Sequence, residues 1–401
     1  LATRELLQRV ALDPNEIDEV IMGCVLPSVA TPNVAREVVL GLDLPAHIPG
    51  MTVARACASS AQALILAAQG VVTGDYKAVL VGGVESMSNV PIPYSKNAID
   101  TLMALSKAPS IGAKMKLLGN LKTRDLLPKS PDIAEASTGK SMGQHAEMMA
   151  QKNGISRQAQ DELTLASHQK AAAAWESGVY GQEVTPVYPK PKFNPVSRDG
   201  YVRGDTSLEK LATLKPAFDR QYGTLTAGNS SGLTDGACTL LVMSESKAKE
   251  LGLKPLAAVK SWANSALSPK EQLLLGPAYA TPKALDRAGL TLADMDLIDI
   301  HEAFAAQVLS VIQALESDEF AKKELGKDQA VGKVDRAKLN VHGGSIALGH
   351  PFGATGARMV LNMSRELARR YQGEQRPHYA LITLCAAGGM GTTLILESIA
   401  D

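Results

Sequence analysis

Hydrophobic and polar positions follow a pattern that predicts short buried strands separated by helices. Helical patterns cover residues 1–10, 60–72 and 157–177, and short apolar runs typical of strands cover residues 20–25, 51–54 and 238–243. The run YKAVLVGGVES predicts a further strand that ends in a turn at Gly82 and Gly83. Short apolar strands alternating with helices indicate a layered α/β fold with sheets between helices.

An internal repeat organises this pattern. The segment LDPNEIDEVIMG, residues 12–23, has the same layout as LTLADMDLIDIH, residues 290–301: a turn, an acidic and an apolar residue, then Asp18 or Asp296 and a strand. Each copy is followed by a small-residue turn, ARACASS or NVHGGSI, and then by an apolar strand with paired glycines, AVLVGGVES or ALITLCAAGGMG. Three matched features in the same order predict duplicated α/β halves with the active site between them.

Residues 93–218 interrupt the repeat with polar and basic stretches. We therefore predict a first half formed by 1–92 and 219–250, an inserted loop domain at 93–218, and a second half at 251–401. Within the insertion, residues 96–130 interleave lysines with leucines and methionines. A basic amphipathic helix or hairpin of this kind lies on an anionic membrane surface, packs on a partner, or forms a solvated face on its own core. The sequence leaves these alternatives open.

Composition narrows the function classes. Lysine plus arginine total 41, and so do aspartate plus glutamate, so the chain has no overall positive charge that would favour binding to nucleic acid. The four cysteines show neither metal-ligand spacing nor the density of a disulfide scaffold, which predicts free thiols in a reducing compartment. We expect Cys24 and Cys238 to be core residues. Residues 56–74 carry no charge, but their serines, glutamines and glycine favour a buried helix over a membrane span.

Candidate chemistry centres on the stretch NVHGGSIALGHPFGATGAR, in which His350 lies between Gly349 and Pro351. Such a loop is suited to holding a histidine in a fixed orientation, and the histidine requires a nucleophile to activate. Cys57 and Cys385 are the candidates. Cys57 lies at a strand-to-helix junction, where the helix dipole is expected to lower the pKa of the thiol. The alternative is a small cysteine buried in a core helix.

Four motifs together resemble the active-site loops of the thiolase family. They are ARACASS with Cys57, HEAFAAQ with His301, GHPFGATGAR with His350 and CAAGGMG with Cys385. The resemblance covers nearly the whole chain and implies duplicated α-β-α-β-α halves. HEAF, CAAGG and the long basic insertion are most similar to the β subunit of the fatty-acid oxidation trifunctional complex.

The resemblance implies cleavage of medium or long 3-ketoacyl-CoA by CoA. His350 would hold Cys57 as the attacking thiolate, while Cys385 would first protonate the leaving enolate and then deprotonate CoA. The thioester oxygen would be held by His350 and His301 through a water, and the acyl-enzyme oxygen by the amides of Cys57 and Ala387. Without the motif, a histidine at a strand end before an acidic residue is also commonly a structural group, which is the alternative for His301.

CoA is expected as a substrate, with no bound cofactor and no metal. Ser231 in GNSSG and Arg203 in YVRGDTS match family positions near the pantetheine and adenine nucleotide, although a turn serine and a solvated arginine have the same appearance. The sequence has no glycine-rich phosphate loop of nucleotide-binding type, so bound NAD or ATP is not expected.

The resemblance further implies a homodimer in a complex with a hydratase/dehydrogenase α subunit. The expected location is the cytoplasm of a bacterium or the mitochondrion of a eukaryote, and attachment to a membrane surface through 96–130 is one of the alternatives given above. Thiolases usually begin with a strand and an Arg-Thr-Pro loop ahead of the first helix, so we expect the sequence to be cropped or the first sheet to lack a strand. Alternatives are a biosynthetic acetoacetyl-CoA thiolase, a condensing synthase, which Cys385 disfavours, and a membrane-surface scaffold without catalysis.

Overall fold

The computed structural model describes residues 1–127, 134–371 and 373–399. The strands in this part of the chain are β1 (Glu19–Gly23), β2 (Gly50–Val53), β3 (Ala78–Glu85), β4 (Gly236–Met243), β5 (Ala258–Ala266), β6 (Met295–Ile300), β7 (Tyr379–Ala386) and β8 (Met390–Glu397). The α-helices are α1 (Ala2–Val10), α2 (Val34–Gly41), α3 (Ser59–Thr73), α4 (Lys96–Lys107), α5 (Ile111–Gly119), α6 (Thr123–Leu126), α7 (Met142–Lys152), α8 (Arg157–Glu176), α9 (Leu208–Ala212), α10 (Glu245–Glu250), α11 (Gly276–Ala288), α12 (Ala305–Leu315), α13 (Asp318–Phe320), α14 (Ser345–Leu348) and α15 (Thr355–Tyr371).

Two mixed sheets form the centre of the molecule. The first has the order β2-β1-β3-β4, with β1 parallel to β2 and β3, and β3 antiparallel to β4. The second has the order β5-β8-β7-β6, with β6 parallel to β7, and β8 antiparallel to both β7 and β5. The prediction of duplicated α/β halves is therefore confirmed.

The repeated acidic residue has the same structural role in both halves. The carboxylate of Asp18 accepts a hydrogen bond from the amide of Ala78, at 2.8 Å, where β3 begins. The carboxylate of Asp296 accepts from the amide of Tyr379, at 3.0 Å, where β7 begins. Each carboxylate thus satisfies a backbone donor at the start of the neighbouring strand, which accounts for its recurrence in the sequence.

One edge distinguishes the two sheets. In the second half, β8 lies between β7 and β5. At the other edge of this sheet, Leu339 forms a parallel bridge to Ile298 of β6, in the position that corresponds to β2 beside β1 in the first half. In the first half, β4 is the counterpart of β8, but within the described residues it pairs with β3 alone. A groove of about 1850 Å³ runs along this edge. The first half therefore has no described counterpart of β5.

The paired glycines of β3 do not form the predicted turn. The strand continues through them to Glu85, with Gly82 opposite Thr239 and Gly83 opposite Cys238. A Cβ atom at position 83 would lie 1.9 Å from the carbonyl oxygen of Gly353. The turn prediction was wrong because these glycines serve close packing against a neighbouring loop rather than a change of chain direction.

Two buried helices separate the sheets. α3 packs against β3, α15 packs against β7, and the helices contact each other. A Cβ at Gly356 would lie 2.7 Å from the amide nitrogen of Ala61, so the helices meet closely near their N-termini. Ala56–Thr73 is long and apolar enough to cross a membrane by length and composition alone. It lies instead in the core with Val81 and Leu384, as expected for a buried helix.

The insertion is mainly helical in its described part. α7 and α8 pack against α12 of the second half. Residues 96–127 form three short helices, α4 to α6, rather than one helix or a hairpin. The carboxylate of Asp125 in α6 accepts from Nδ2 of Asn97 in α4 at 2.7 Å. The remaining residues of the predicted amphipathic segment, 128–130, lie outside the described residues.

Candidate active site

Cys57 lies in a tight turn between β2 and α3. Ala56 has a φ of 44°, and the hydroxyl of Ser59 donates to Ala56 O at 2.6 Å and accepts from Arg55 N at 2.8 Å. A left-handed residue reverses the chain here, and the serine satisfies backbone groups that the turn leaves open. The sulfur is consequently presented, partly buried, in front of the first turn of α3.

His350 is buried, and its loop is attached to the first half of the chain. Its Nδ1 lies 2.7 Å from the hydroxyl of Thr355, and its backbone amide donates to Gly232 O at 2.8 Å. The carboxylate of Glu85, at the end of β3, accepts from the amide of Gly353 at 2.9 Å and from that of Val25 at 3.0 Å. These hydrogen bonds connect the histidine loop to the half that carries Cys57.

His301 follows β6 and is also buried. Its backbone amide donates to Thr383 O at 2.9 Å, so the residue continues the pairing of β6 with β7. Its Nδ1 lies 3.0 Å from the hydroxyl of Ser345, and its Nε2 lies 3.3 Å from Nε2 of His350. The two histidines singled out in the sequence therefore face each other.

The three side chains form one compact group. The Cys57 sulfur and one ring nitrogen from each histidine all lie within 4.8 Å of one another. This spacing suits proton transfer between sulfur and imidazole, and the same atoms are of the types that bind soft divalent metals. That the protein works without a metal stays a prediction.

Cys385 and Ala387 complete the pocket from the second half. Cys385 is buried in β7, and this burial raises the pKa of its thiol well above the ordinary value; a negative charge on the nearby Cys57 raises it further. The amides of Ala387 and of Cys57 itself lie beside the Cys57 sulfur, where they favour its thiolate form. The positions predicted for the second thiol and for the two oxyanion donors thus meet at the first thiol.

The resting protonation state differs from the expectation. Burial raises the pKa of the Cys57 thiol to about 11, because desolvation outweighs the favourable amides of Ala387 and Cys57. Burial, together with His301 and Arg358, lowers the pKa of His350 well below its ordinary value. A neutral thiol therefore faces a neutral imidazole near pH 7. These directions oppose the lowered thiol pKa expected from the helix dipole. That His350 holds Cys57 as the attacking thiolate stays a prediction, and the histidine is placed to accept the thiol proton during attack.

The two residues predicted to bind CoA lie in different surroundings. The amide of Ser231 donates to Ala303 O at 3.0 Å, and the neighbouring Gly232 bonds to His350, so Ser231 lies beside the catalytic loops. Arg203 has an exposed side chain, while its amide donates to Nδ1 of His168 at 3.1 Å. Their roles toward CoA stay predictions.

Two supporting carboxylates were not identified from the sequence, although one of them, Glu302, lies inside a quoted motif. Glu302 of the HEAF motif accepts from Ser167 Oγ at 2.6 Å and from Asn340 Nδ2 at 2.7 Å, and so fixes the loop before His350 against α8. Glu135 of the insertion accepts from the amide of Gly388 at 3.0 Å, beside Cys385. The signal that could have identified Glu302 is a charged residue inside HEAFAAQ, a motif of mostly small and apolar residues.

A nucleophilic thiol, an imidazole base and a second thiol, set between duplicated halves, define a class of acyltransferases that work through a cysteine-bound acyl group. Comparison with known families agrees. The model for the thiolase N-terminal domain matches residues 1–246, and that for the thiolase C-terminal domain matches residues 253–398. The chain belongs to the thiolase family, as the motifs indicated.

Similar proteins include named thiolases. A 3-ketoacyl-CoA thiolase of Pectobacterium carotovorum subsp. carotovorum is 50% identical over 397 residues, which are 99% of this chain and 90% of that protein. Human mitochondrial 3-ketoacyl-CoA thiolase, solved in complex with CoA, has a TM-score of 0.82 and 32% identity, covering 100% of this chain and 91% of that one. Bacillus anthracis acetyl-CoA acetyltransferase has a TM-score of 0.83 and 34% identity, with 99% and 91% covered.

Proposed function

We propose that this protein is a 3-ketoacyl-CoA thiolase that shortens medium or long acyl chains by transferring them to CoA. The observation that carries the proposal is the meeting of Cys57 and Cys385 in one pocket beside His350. Two thiols are needed because the reaction requires both a nucleophile and a separate proton carrier. CoA is a substrate in this proposal, and no cofactor is bound.

In the first half-reaction, Cys57 attacks the 3-keto carbon while its proton passes to Nε2 of His350. The bond between the α and β carbons then breaks, and its electron pair goes to the acetyl-CoA enolate, which takes the proton of Cys385. The thioester oxygen carries the negative charge of the enolate, and we assign its position to the space beside Nε2 of His301 and Nε2 of His350, which are 3.3 Å apart. An acyl group is left on the Cys57 sulfur.

In the second half-reaction, the thiolate of Cys385 removes the thiol proton of an incoming CoA. The CoA sulfur attacks the acyl carbon, whose oxygen is held by the amides of Cys57 and Ala387, and Cys57 leaves and regains its proton from His350. We place Ser231 beside the pantetheine and Arg203 near the adenine nucleotide. We expect Arg203→Ala to increase the KM for CoA. The exposed control Arg220→Ala should leave this KM unchanged.

CoA-dependent cleavage of short, medium and long 3-ketoacyl-CoA tests the proposal. We expect higher kcat/KM on medium or long chains than on acetoacetyl-CoA. A preference for condensing two acetyl-CoA molecules would support instead a biosynthetic acetoacetyl-CoA thiolase, the alternative favoured by the similarity to Bacillus anthracis acetyl-CoA acetyltransferase. Absence of cleavage on every chain length would overturn the proposal.

We further propose that the protein acts as a homodimer in a trifunctional complex with a hydratase/dehydrogenase α subunit. HEAF, CAAGG and the long insertion support this subtype. Co-expression with such a subunit followed by size-exclusion chromatography should give one complex that carries both activities. Elution of two separate species at micromolar concentration would contradict it.

The helices α4 to α6 form the proposed contact with an anionic membrane, in the cytoplasm of a bacterium or the mitochondrion of a eukaryote. Residues 96–127 contain six basic and two acidic residues, and Ile111 and Met115 are 81% and 63% exposed. The double variant Lys114→Glu with Lys116→Glu should lose flotation with phosphatidylglycerol vesicles. Lys322→Glu with Lys323→Glu is the matched control, and equal flotation of both variants would contradict the contact.

A further inference from the structure

We propose that Ser345 and Arg358 are positioning residues that fix His301 in the tautomer with its proton on Nε2, so that His301 serves as a hydrogen-bond donor in the active site. The use of that donor rests on the proposed function. The tautomer itself follows from the hydrogen-bond network around both histidines.

The network begins at a group that can only donate. The guanidinium of Arg358 has no acceptor. Its Nη2 lies 2.7 Å from Ser345 Oγ, and its Nη1 lies 2.8 Å from Gly349 O. The Ser345 oxygen therefore accepts from Arg358, and its single proton is available to Nδ1 of His301, 3.0 Å away. If Nδ1 accepts that proton, the neutral ring carries its own proton on Nε2; a serine oxygen can accept twice, so the other end of the network decides the direction.

The network ends at a group that can only accept. The hydroxyl of Thr355 lies 3.0 Å from Pro351 O and donates to it. The same hydroxyl must then accept from Nδ1 of His350, 2.7 Å away, so the lone pair of His350 lies on Nε2. With its lone pair on Nε2, His350 can only accept there, so Nε2 of His301, 3.3 Å away, is the donor of the pair. Nδ1 of His301 then has no proton and accepts from Ser345, whose oxygen accepts from Arg358.

This arrangement prepares the pair for the first half-reaction. In the free protein, Nε2 of His301 donates to Nε2 of His350. Once His350 takes the proton of Cys57, both of its nitrogens are donors, and the Nε2 proton of His301 loses its acceptor. The two Nε2–H groups are then both available to a substrate oxygen. An asparagine amide is a donor without assistance, whereas histidine at position 301 requires Ser345 to be one.

The tautomer can be measured directly by nitrogen NMR of protein labelled with ¹⁵N at histidine, with His301→Asn identifying the signals of His301. We expect an unprotonated Nδ1 and a protonated Nε2 at position 301 in the wild type. Ser345→Ala should give a mixture of tautomers, and Ser345→Thr, which keeps the hydroxyl, should restore the wild-type spectrum. A proton on Nδ1 of His301 in the wild type would overturn the proposal.

Kinetics separate positioning from a structural role. Removing one oxyanion donor costs roughly 10²-fold in kcat, and we expect a loss on that order for Ser345→Ala. In a His301→Asn background the same substitution should change kcat by less than about 3-fold, because additivity fails for residues that act through each other. Equal losses in both backgrounds would show that Ser345 acts only on the fold. Absence of thiolysis in the wild type would count against the proposed function alone, since the NMR result decides the tautomer.

Discussion

Nε2 of His301 lies 3.3 Å from Nε2 of His350, and each ring is held on its other side by a hydroxyl, Ser345 or Thr355. Both histidines come from the second half of the chain, whereas the thiol they face, Cys57, comes from the first. The reacting group is therefore assembled only when the halves pack, and its chemistry is sensitive to that packing.

Replacement of either catalytic thiol should separate the two half-reactions. Cys57→Ala should form no acyl-enzyme and lose at least roughly 10³-fold in turnover, because the nucleophile is gone. Cys385→Ala should still accept an acyl group from an acyl-CoA donor but accumulate it. Intact-mass spectrometry measures the acyl group, with Cys238→Ala, a buried thiol away from the pocket, as the control. Unchanged turnover in Cys57→Ala would refute the mechanism.

Alkylation of Cys57 should depend on pH as expected for a thiol of high pKa. Burial raises this pKa to about 11, so the reactive thiolate is the minor form at pH 7 and increases with each step toward pH 10. Iodoacetamide labelling of the free protein, followed by peptide mass spectrometry, should therefore accelerate across this interval. A rate that is already constant above pH 7 would instead indicate a resting thiolate.

His301 should contribute to acid sensitivity of the fold. Burial, with Arg358 nearby, lowers its pKa from 6.5 to about 3. The unfolded chain therefore binds a proton that the folded chain does not, and the contribution to stability is complete above pH 6.5 and is lost as the pH falls toward 3. The slope is at most about 1.4 kcal/mol per pH unit. Urea unfolding at a series of pH values should show a shallower dependence in His301→Asn, and parallel curves would contradict this.

Glycines of β3 should be far less replaceable than glycines on the surface. Gly83→Ala places a methyl group 1.9 Å from the oxygen of Gly353, which forces the histidine loop away from the strand. We expect loss of more than about 3 kcal/mol of stability and of most activity. Gly112→Ala in α5 meets nothing within 4 Å and should be neutral or stabilising by up to about 1 kcal/mol. Thermal unfolding of both variants checks this, and similar midpoints would be inconsistent with the close packing.

The sequence by itself determined the elements and the chemical groups. The repeat around Asp18 and Asp296 was visible because a strand start needs the same carboxylate in both halves, and hydrophobic periodicity placed α3 within a residue of its observed limits. Cys57, His350 and Cys385 were recognisable because residue type and small neighbours are local properties of a motif.

Only the tertiary structure decided how these groups behave. The local argument from the helix dipole predicted a low pKa for Cys57, but desolvation by distant segments reverses its direction. Gly82 and Gly83 resembled a turn because their true requirement, the approach of the loop containing Gly353, comes from residues remote in sequence. Which nitrogen of His301 carries the proton depends on Arg358 through Ser345. The protonation states of Cys57 and His301, and the close approach of Gly353 to Gly83, depend on packing between residues that are distant in the sequence. No local sequence pattern shows such packing.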